Sequence, residues 1–237
     1  CVVFAPGRYD LHPEALQRRC YNISNNNEEP DVPKHVGVLI EGSRHVVVSG
    51  PGARLVCRAK MIVVCIDDSE NVTIRDLAVD YHRPTVSEFN ITSVNEDSAD
   101  IAVHPDSHYT VTDGAITWQG EGWRYATGLA QELIPETGRI WRLKDPLVDM
   151  RIEEIEPGVI RAHGTHAMTA GRVFQLRDTY RDCVGMFVRR SRGVTFDALQ
   201  LFYLHGMGIV GQLSEDITLN KVSIAPEAGS GRTCSGW

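Results

Sequence analysis

The stretch 191-SRGVTFDALQLFY-203 spaces its apolar residues in a pattern that decides the fold. Val194 and Phe196 lie two residues apart, Leu199 follows after three, and Leu201 follows after two. On a helix these positions would scatter around the axis, because successive residues are separated by about 100°. A β-strand instead alternates its faces with a period of two. The spacing therefore predicts two short strands joined by a corner, with their apolar side chains directed into one interior.

The same phrase recurs along the chain. It occurs as 69-SENVTIRDLAVDY-81, as 214-SEDITLNKVSIAP-226 and, with two extra corner residues, as 43-SRHVVVSGPGARLVC-57. Every copy opens with serine, and directly successive copies are separated by about 23 to 26 residues, a period typical of solenoids. One coil cannot bury its apolar side alone, so coils stack and equivalent positions meet. We therefore predict an all-β protein built on a right-handed parallel β-helix, with a β-sandwich as the alternative.

A different pattern separates the second and third copies. The stretch 109-YTVTDGAITW-118 alternates on both sides of Asp113-Gly114, which is typical of a hairpin with a two-residue turn. Further turn signals follow at 135-PETGRIW-141 and 155-IEPGVIR-161. These features predict antiparallel strands inserted into the solenoid.

The chain is thus divided into three predicted parts. Residues 1–83 hold an entry segment and the first coils, residues 84–172 form an inserted antiparallel and barrel-like region, and residues 173–237 resume the coils. Insertions in solenoids project from one face, which is often the binding face.

Composition excludes some classes of function. The 237 residues carry a formal net charge of −7, which argues against a nucleic-acid partner. No apolar run is long enough to span a membrane. The six cysteines lie far apart and lack metal-binding spacing. His163 and His166 are three residues apart, but the surrounding stretch reads as a loop with no third ligand nearby, so no metal is predicted.

The stretch 202-FYLHGMGIVGQ-212 holds candidate binding residues. Tyr203 and His205 could offer an aromatic face and a hydrogen-bond donor to a sugar in a groove of the solenoid. Gly206 and Gly208 permit a tight turn or the close approach of a ligand. The alternative interpretation is a corner that requires glycine, with Tyr203 continuing the inward stack.

Several short phrases occur in order along nearly the whole chain. They are PGRYDLHPEAL (6–16), CYNISNN (20–26), NVTIRDLAVDYHRP (71–84), GEGW (120–123), GMG (206–208), QLSEDITL (212–219) and GRTCSGW (231–237). Together these phrases resemble glycoside hydrolase family 110, the bacterial exo-acting α-1,3-galactosidases. The resemblance implies a β-helix with inserted barrel material, inverting removal of terminal α-1,3-linked galactose, and no metal or organic cofactor.

The resemblance also sets an expectation for the catalytic groups. The aspartate-rich catalytic motifs of the family follow the segment that matches GRTCSGW, where this sequence stops. No catalytic residue is therefore assigned, and we expect an internal fragment, inactive alone, whose acid and base lie beyond residue 237. The substrate-binding candidates are Tyr203, His205, Gln212 and Arg232 on the last coils, with Glu121 and Trp123 from the insertion.

The expected partner is a carbohydrate with terminal α-galactose, and neither nucleic acid nor a membrane is expected. Because such glycans lie outside the cytoplasm, the expected location is the periplasm or the exterior of the cell. Two alternatives remain at this point, namely another β-helix enzyme that degrades polysaccharides and a non-catalytic β-helix that binds glycans.

Overall fold

The computed structural model describes residues 1–24 and 29–236 and is all-β, with one 3-10 turn at Pro13–Ala15. Residues 25–28 and 237, which include parts of two phrases quoted above, lie outside the described residues. Two units are present, one formed by residues 1–83 and 180–237 and the other by residues 84–179. Within the described residues, no helix has the length and apolar character needed to cross a membrane.

The first unit consists of short strands. They are β1 (Val2–Val3), β2 (Gly7–Leu11), β3 (Gln17–Arg19), β4 (Lys34–Glu41), β5 (Arg44–Cys57), β6 (Ile62–Asp67) and β7 (Glu70–Tyr81), and, after the second unit, β18 (Met186–Arg189), β19 (Arg192–Asp197), β20 (Gln200–Leu201), β21 (Ile209–Gln212), β22 (Glu215–Asn220) and β23 (Ser223–Ile224). One sheet runs β1-β5-β7-β19-β22. In the same sheet β2 also pairs with β5, β20 pairs with β7, and β23 pairs with β20. A second sheet runs β21-β18-β6-β4-β3.

Equivalent positions of the repeated phrase meet in the first sheet. The strands β5, β7, β19 and β22 are parallel, and Phe196 is in register with Ile74 on one side and Leu219 on the other. Val194 is likewise flanked by Val72 and Ile217. Phe196, Ile74, Val194 and Val72 are fully buried. The alternation by two therefore places each phrase's apolar residues in rows that cross from strand to strand.

The odd spacing of the phrase comes from its corner. Asp76, Ala198 and Lys221 occupy equivalent positions between the two strand pieces, and each has a positive φ, between 50° and 57°. A left-handed residue turns the chain and shifts the alternation by one position. The predicted pair of strands joined by a corner is confirmed for the copies at 191–203 and 214–226, whereas β5 and β7 each run through the corner as one strand.

The serine that opens each phrase has a structural role. Ser69 Oγ accepts a hydrogen bond from the Ser43 amide at 3.1 Å, Ser191 Oγ from the Ser69 amide at 3.0 Å, and Ser214 Oγ from the Ser191 amide at 3.1 Å. Each hydroxyl thus satisfies a corner amide of the neighbouring strand, where a buried donor without a partner would be costly.

The second unit is antiparallel, as the insertion was predicted to be. Its strands are β8 (Val86–Val94), β9 (Ser98–Val103), β10 (His108–Thr112), β11 (Ala115–Gly120), β12 (Trp123–Tyr125), β13 (Leu129–Ile134), β14 (Arg139–Lys144), β15 (Arg151–Glu156), β16 (Val159–His163) and β17 (Val173–Arg177). A seven-stranded sheet runs β14-β13-β17-β8-β9-β16-β15, and β10-β11-β12 form a small sheet. The predicted hairpin is confirmed by the pairing of β10 with β11 around Asp113 and Gly114, both of which have positive φ.

Aromatic rings fill the core of this unit. Phe89 stacks against Trp118 with ring centroids 5.9 Å apart and against Phe174 at 5.5 Å. All three side chains are buried, together with Ile101 and Ile160 from neighbouring strands. Large rings supply much buried apolar area for a small sheet.

The division between the units differs from the predicted boundary at residues 172 and 173. The strand β17 (Val173–Arg177) pairs antiparallel with β8 and β13, so it belongs to the second unit rather than to the resumed coils. The first unit resumes at Tyr180. The reason is that β17 lies in the middle of the inserted sheet, between β13 and β8, whose paired residues are 40 to 48 and 83 to 91 positions upstream. No local pattern reveals such a pairing.

The cysteines form no disulfides, and the histidines at 163 and 166 contact neighbouring protein groups. All six cysteines are free, and burial raises the pKa of the Cys65 and Cys183 thiols to about 12. His163 contacts Glu153 at 3.2 Å, and the His166 ring lies 3.0 Å from the Ser98 carbonyl oxygen. Among the described residues, no group of three histidine, cysteine or acidic side chains could hold a metal ion.

Candidate functional site

A network of four charged side chains lies on the outward side of the first sheet. Arg54 on β5 donates from Nη1 to Glu227 Oε1 at 2.9 Å and from Nη2 to Glu227 Oε2 at 2.8 Å. Arg54 Nη2 also donates to Asp80 on β7. Bidentate arginine–carboxylate pairs fix geometry as well as charge. Arg54 therefore joins two neighbouring strands to the segment around residue 227.

Asp80 is the buried centre of this network. Only 7% of its side chain is exposed, and the same is true of Arg232, whose Nη atoms lie 3.4 Å from the Asp80 oxygens. The Tyr81 amide also donates to Asp80 Oδ1, at 2.9 Å. A buried carboxylate needs such compensation, because leaving water is costly for an ion. Asp80 thus accepts from two guanidinium groups and one backbone amide.

The network also changes proton affinities. The hydrogen bonds from Arg54 lower the pKa of Glu227 below its ordinary value. In turn, the hydrogen bonds to Glu227 and Asp80 raise the pKa of Arg54 further above its ordinary value. Arg54 and Glu227 thus hold each other in the charged form.

Two of the predicted residues, Tyr203 and Arg232, are in contact with each other, and Arg232 is a member of this network. The Arg232 guanidinium carbon lies 5.8 Å from the centroid of the Tyr203 ring, which meets Tyr81 edge to face at 5.4 Å. Tyr203 is only 1% exposed. The Tyr203 ring therefore continues the inward stack, which is the alternative interpretation given above for this stretch. It also packs against the Arg232 guanidinium group.

His205 and the glycine turn after it are also buried. Gly206 has a φ of +60°, and a Cβ there would lie 2.8 Å from the Cys183 carbonyl oxygen. His205 is 3% exposed. The corner therefore requires glycine for both its backbone angle and its close approach to the segment that precedes β18.

Gln212 anchors the entry segment. Its side-chain oxygen accepts hydrogen bonds from the Ser24 amide and hydroxyl, both at 3.0 Å, and its Nε2 donates to the Asn22 carbonyl oxygen at 3.0 Å. Both ends of the amide are thus engaged with residues about 190 positions away in the sequence.

Glu121 and Trp123 belong to the second unit. Glu121 lies in the turn between β11 and β12, next to Gly122, which has a φ of +71°. Trp123 is part of the aromatic core and stacks on Tyr125 with centroids 5.6 Å apart. A Cβ at Gly120 would lie 2.4 Å from the Trp123 ring, so the glycine makes room for the indole.

The sequence patterns did not reveal Arg54 and Glu227 as partners. The signal for Arg54 is its register, since Arg54 pairs with Ala78 across neighbouring strands and Asp80 lies two residues further along the same face. Glu227 reaches Arg54 across 173 residues of sequence, a separation over which no pattern predicts a contact.

Comparisons with known proteins place this geometry in context. A sequence family described as GLAA-B beta-barrel domain I matches residues 87–173, within the antiparallel unit. An α-1,3-galactosidase A of Bacteroides thetaiotaomicron is 32% identical and one of Akkermansia muciniphila is 34% identical, and each alignment covers 100% of this chain. An α-1,3-galactosidase B of Parabacteroides distasonis is 28% identical over 94% of the chain.

The alignments cover only part of these relatives. They span 43% of the Bacteroides protein, 40% of the Akkermansia protein and 37% of the Parabacteroides protein. The chain thus spans about two fifths of the length of the curated relatives it matches. The predicted resemblance is confirmed, and this chain is homologous over its whole length to a segment of the α-1,3-galactosidases.

Proposed function

We propose that the protein that carries this chain is a glycoside hydrolase that removes terminal α-1,3-linked galactose with inversion. The observation that carries the proposal is the identity of 32% and 34% to two α-1,3-galactosidases over the full length of the chain. An inverting hydrolase uses two carboxyl groups spaced widely enough to admit a water molecule. The substrate is a carbohydrate with a terminal α-galactose, and the location that suits it is the periplasm or the exterior of the cell.

Within this proposal, the first unit is a set of coils of a right-handed parallel β-helix. The support is the parallel register of four repeated phrases in one sheet, together with the parallel pairing of β4, β6, β18 and β21 in another. Coils of this kind present a rigid, repetitive outer face on which sugar-binding groups can be fixed.

The charged network is proposed to position rather than to catalyse. Asp80 already accepts from Arg54, Arg232 and the Tyr81 amide, and it is buried, so a glycosidic oxygen has no route to it. We therefore propose that the network holds the segment from residue 227 to 232 against the sheet. Neither the acid nor the base is assigned to a residue of this chain.

The other predicted binding residues remain proposals with supporting geometry. Tyr203 and His205 are buried in the first unit and Trp123 is buried in the second, so each would influence sugar binding through packing within its own unit. Gln212 would act by fixing the entry segment through Ser24. Glu121 lies in a turn of the second unit and is partly exposed, whereas the Arg232 side chain is 7% exposed and would act through its contact with Asp80.

The proposal predicts the anomer that is released first. If the whole protein is mixed with a methyl glycoside of the disaccharide Gal-α-1,3-Gal, time-resolved proton NMR should show β-galactose first, followed by α-galactose as the sugar equilibrates in water. The control is the β-1,3-linked isomer, which should release no galactose. Early α-galactose would contradict inversion, and no galactose from the α-linked substrate would contradict the hydrolase itself.

A further inference from the structure

A cavity of about 530 Å³ opens on the outward face of the first sheet. Its volume falls in the range of sites that hold small ligands, roughly 300 to 1,000 Å³. The residues that give it its chemistry are Arg54, Asp76, Ala78, Gln200, Phe202 and Glu227.

The cavity follows from one small residue in a row of larger ones. In the parallel register, Ala78 on β7 lies between Arg54 on β5 and Gln200 on β20. All three side chains point outward, because the alternating positions Leu77 and Val79 are buried. Alanine fills little of this space, so its long neighbours become walls and its methyl group becomes the floor.

The walls combine an aromatic ring with polar groups. The Arg54 guanidinium carbon lies 4.8 Å from the centroid of the Phe202 ring, which is partly exposed. Asp76 accepts a hydrogen bond from the Ser49 hydroxyl at 3.3 Å and keeps 39% of its side chain exposed. The exposed Gln200 amide offers both donors and an acceptor. An apolar ring edge beside convergent acceptors and donors suits a sugar, which has both carbon-bound hydrogens and hydroxyls.

The charge of the cavity selects a neutral ligand. Both Nη atoms of Arg54 already donate to carboxylates, two bonds going to Glu227 and one to Asp80. A ligand carboxylate or phosphate would have to displace Glu227 to gain the arginine's paired donors. It would also meet Asp76 and Glu227 as like charges. Hydroxyl groups, in contrast, can donate to both carboxylates.

We propose that this cavity binds one unit of a neutral saccharide. The site is formed wholly by residues of the first unit, and its chemistry does not depend on any hydrolytic step. Only the choice of galactose as the first probe rests on the proposed function.

The test is saturation-transfer NMR and titration calorimetry on this chain with methyl α-D-galactoside, methyl α-D-glucoside and D-galacturonate. We expect at least one neutral glycoside to bind and galacturonate to bind more weakly. The variant A78L, whose side chain fills the floor, should lose binding. The variant Q200A should weaken binding about threefold to tenfold, the usual effect of one hydrogen bond.

The matched control is T195L, which places the same leucine on an outward position of the same sheet outside the cavity. It should bind as the unchanged chain does, and circular dichroism should show that all three variants fold. Should A78L misfold, Q200A alone decides. Failure of both glycosides to bind, unchanged binding by the folded variants, or tighter binding of galacturonate would overturn the site. Binding without galactose release by the whole protein would overturn the proposed hydrolase and leave this site standing.

Discussion

Replacing Asp80 with asparagine is expected to lower the free energy of unfolding of this chain by about 3 to 5 kcal/mol. The variant keeps the shape of the side chain but removes its charge. Arg232, whose side chain is 7% exposed, then loses its ion pair with Asp80, and Arg54 keeps its ion pair with Glu227. Breaking a buried ion pair from one side is costly, because the charge that stays buried loses compensation that it had in the folded protein. Denaturant unfolding followed by circular dichroism measures the change.

The control for this prediction is another aspartate that bonds to an arginine. Asp216 accepts from Arg192 at 3.0 Å, but about two thirds of each side chain is exposed to solvent. Its replacement with asparagine should therefore change stability by at most about 1 kcal/mol. If the Asp80 and Asp216 variants lost the same small amount, the buried network would not hold the 227–232 segment in the way described.

Replacing Phe196 with alanine is expected to cost about 3 to 5 kcal/mol of unfolding free energy. The ring is fully buried and lies in register between Ile74 and Leu219, at the position where equivalent residues of the repeated phrase meet. Its truncation removes apolar area from the core and leaves a cavity that parallel backbones on both sides cannot collapse to fill.

The neighbouring residue provides the control for Phe196. Thr195 is on the same strand but faces outward, so its replacement with alanine should cost about 1 kcal/mol or less, the range of strand propensity. Chemical denaturation of both variants separates the two positions. Equal losses would mean that the alternation of the phrase does not set which side chains are buried.

The sequence allowed much of the fold to be predicted because the decisive contacts repeat. The offsets of Val194, Phe196, Leu199 and Leu201 follow from alternation interrupted by one corner residue, and Ala198 is that residue, with a φ of +52°. The opening serine of each phrase was visible, but its hydrogen bond to the next strand depends on how the strands stack.

Features that depend on distant pairing could not be predicted in this way. The strand β17 alternates much as a coil strand does, yet its partners lie in the antiparallel sheet. The burial of Trp123 could not be predicted from its residue type either, and its ring packs in the core of the second unit. The bond between Arg54 and Glu227 spans 173 residues.

We propose that the protein that carries this chain cleaves terminal galactose joined by an α-1,3 linkage. The most direct test of this claim is to incubate that protein with the α-1,3-, α-1,4- and α-1,6-linked digalactosides and to quantify free galactose over time. We predict release from the α-1,3-linked substrate, with little or none from the other two. Equal release from all three, or release from the α-1,4 or α-1,6 isomer alone, would contradict the claim.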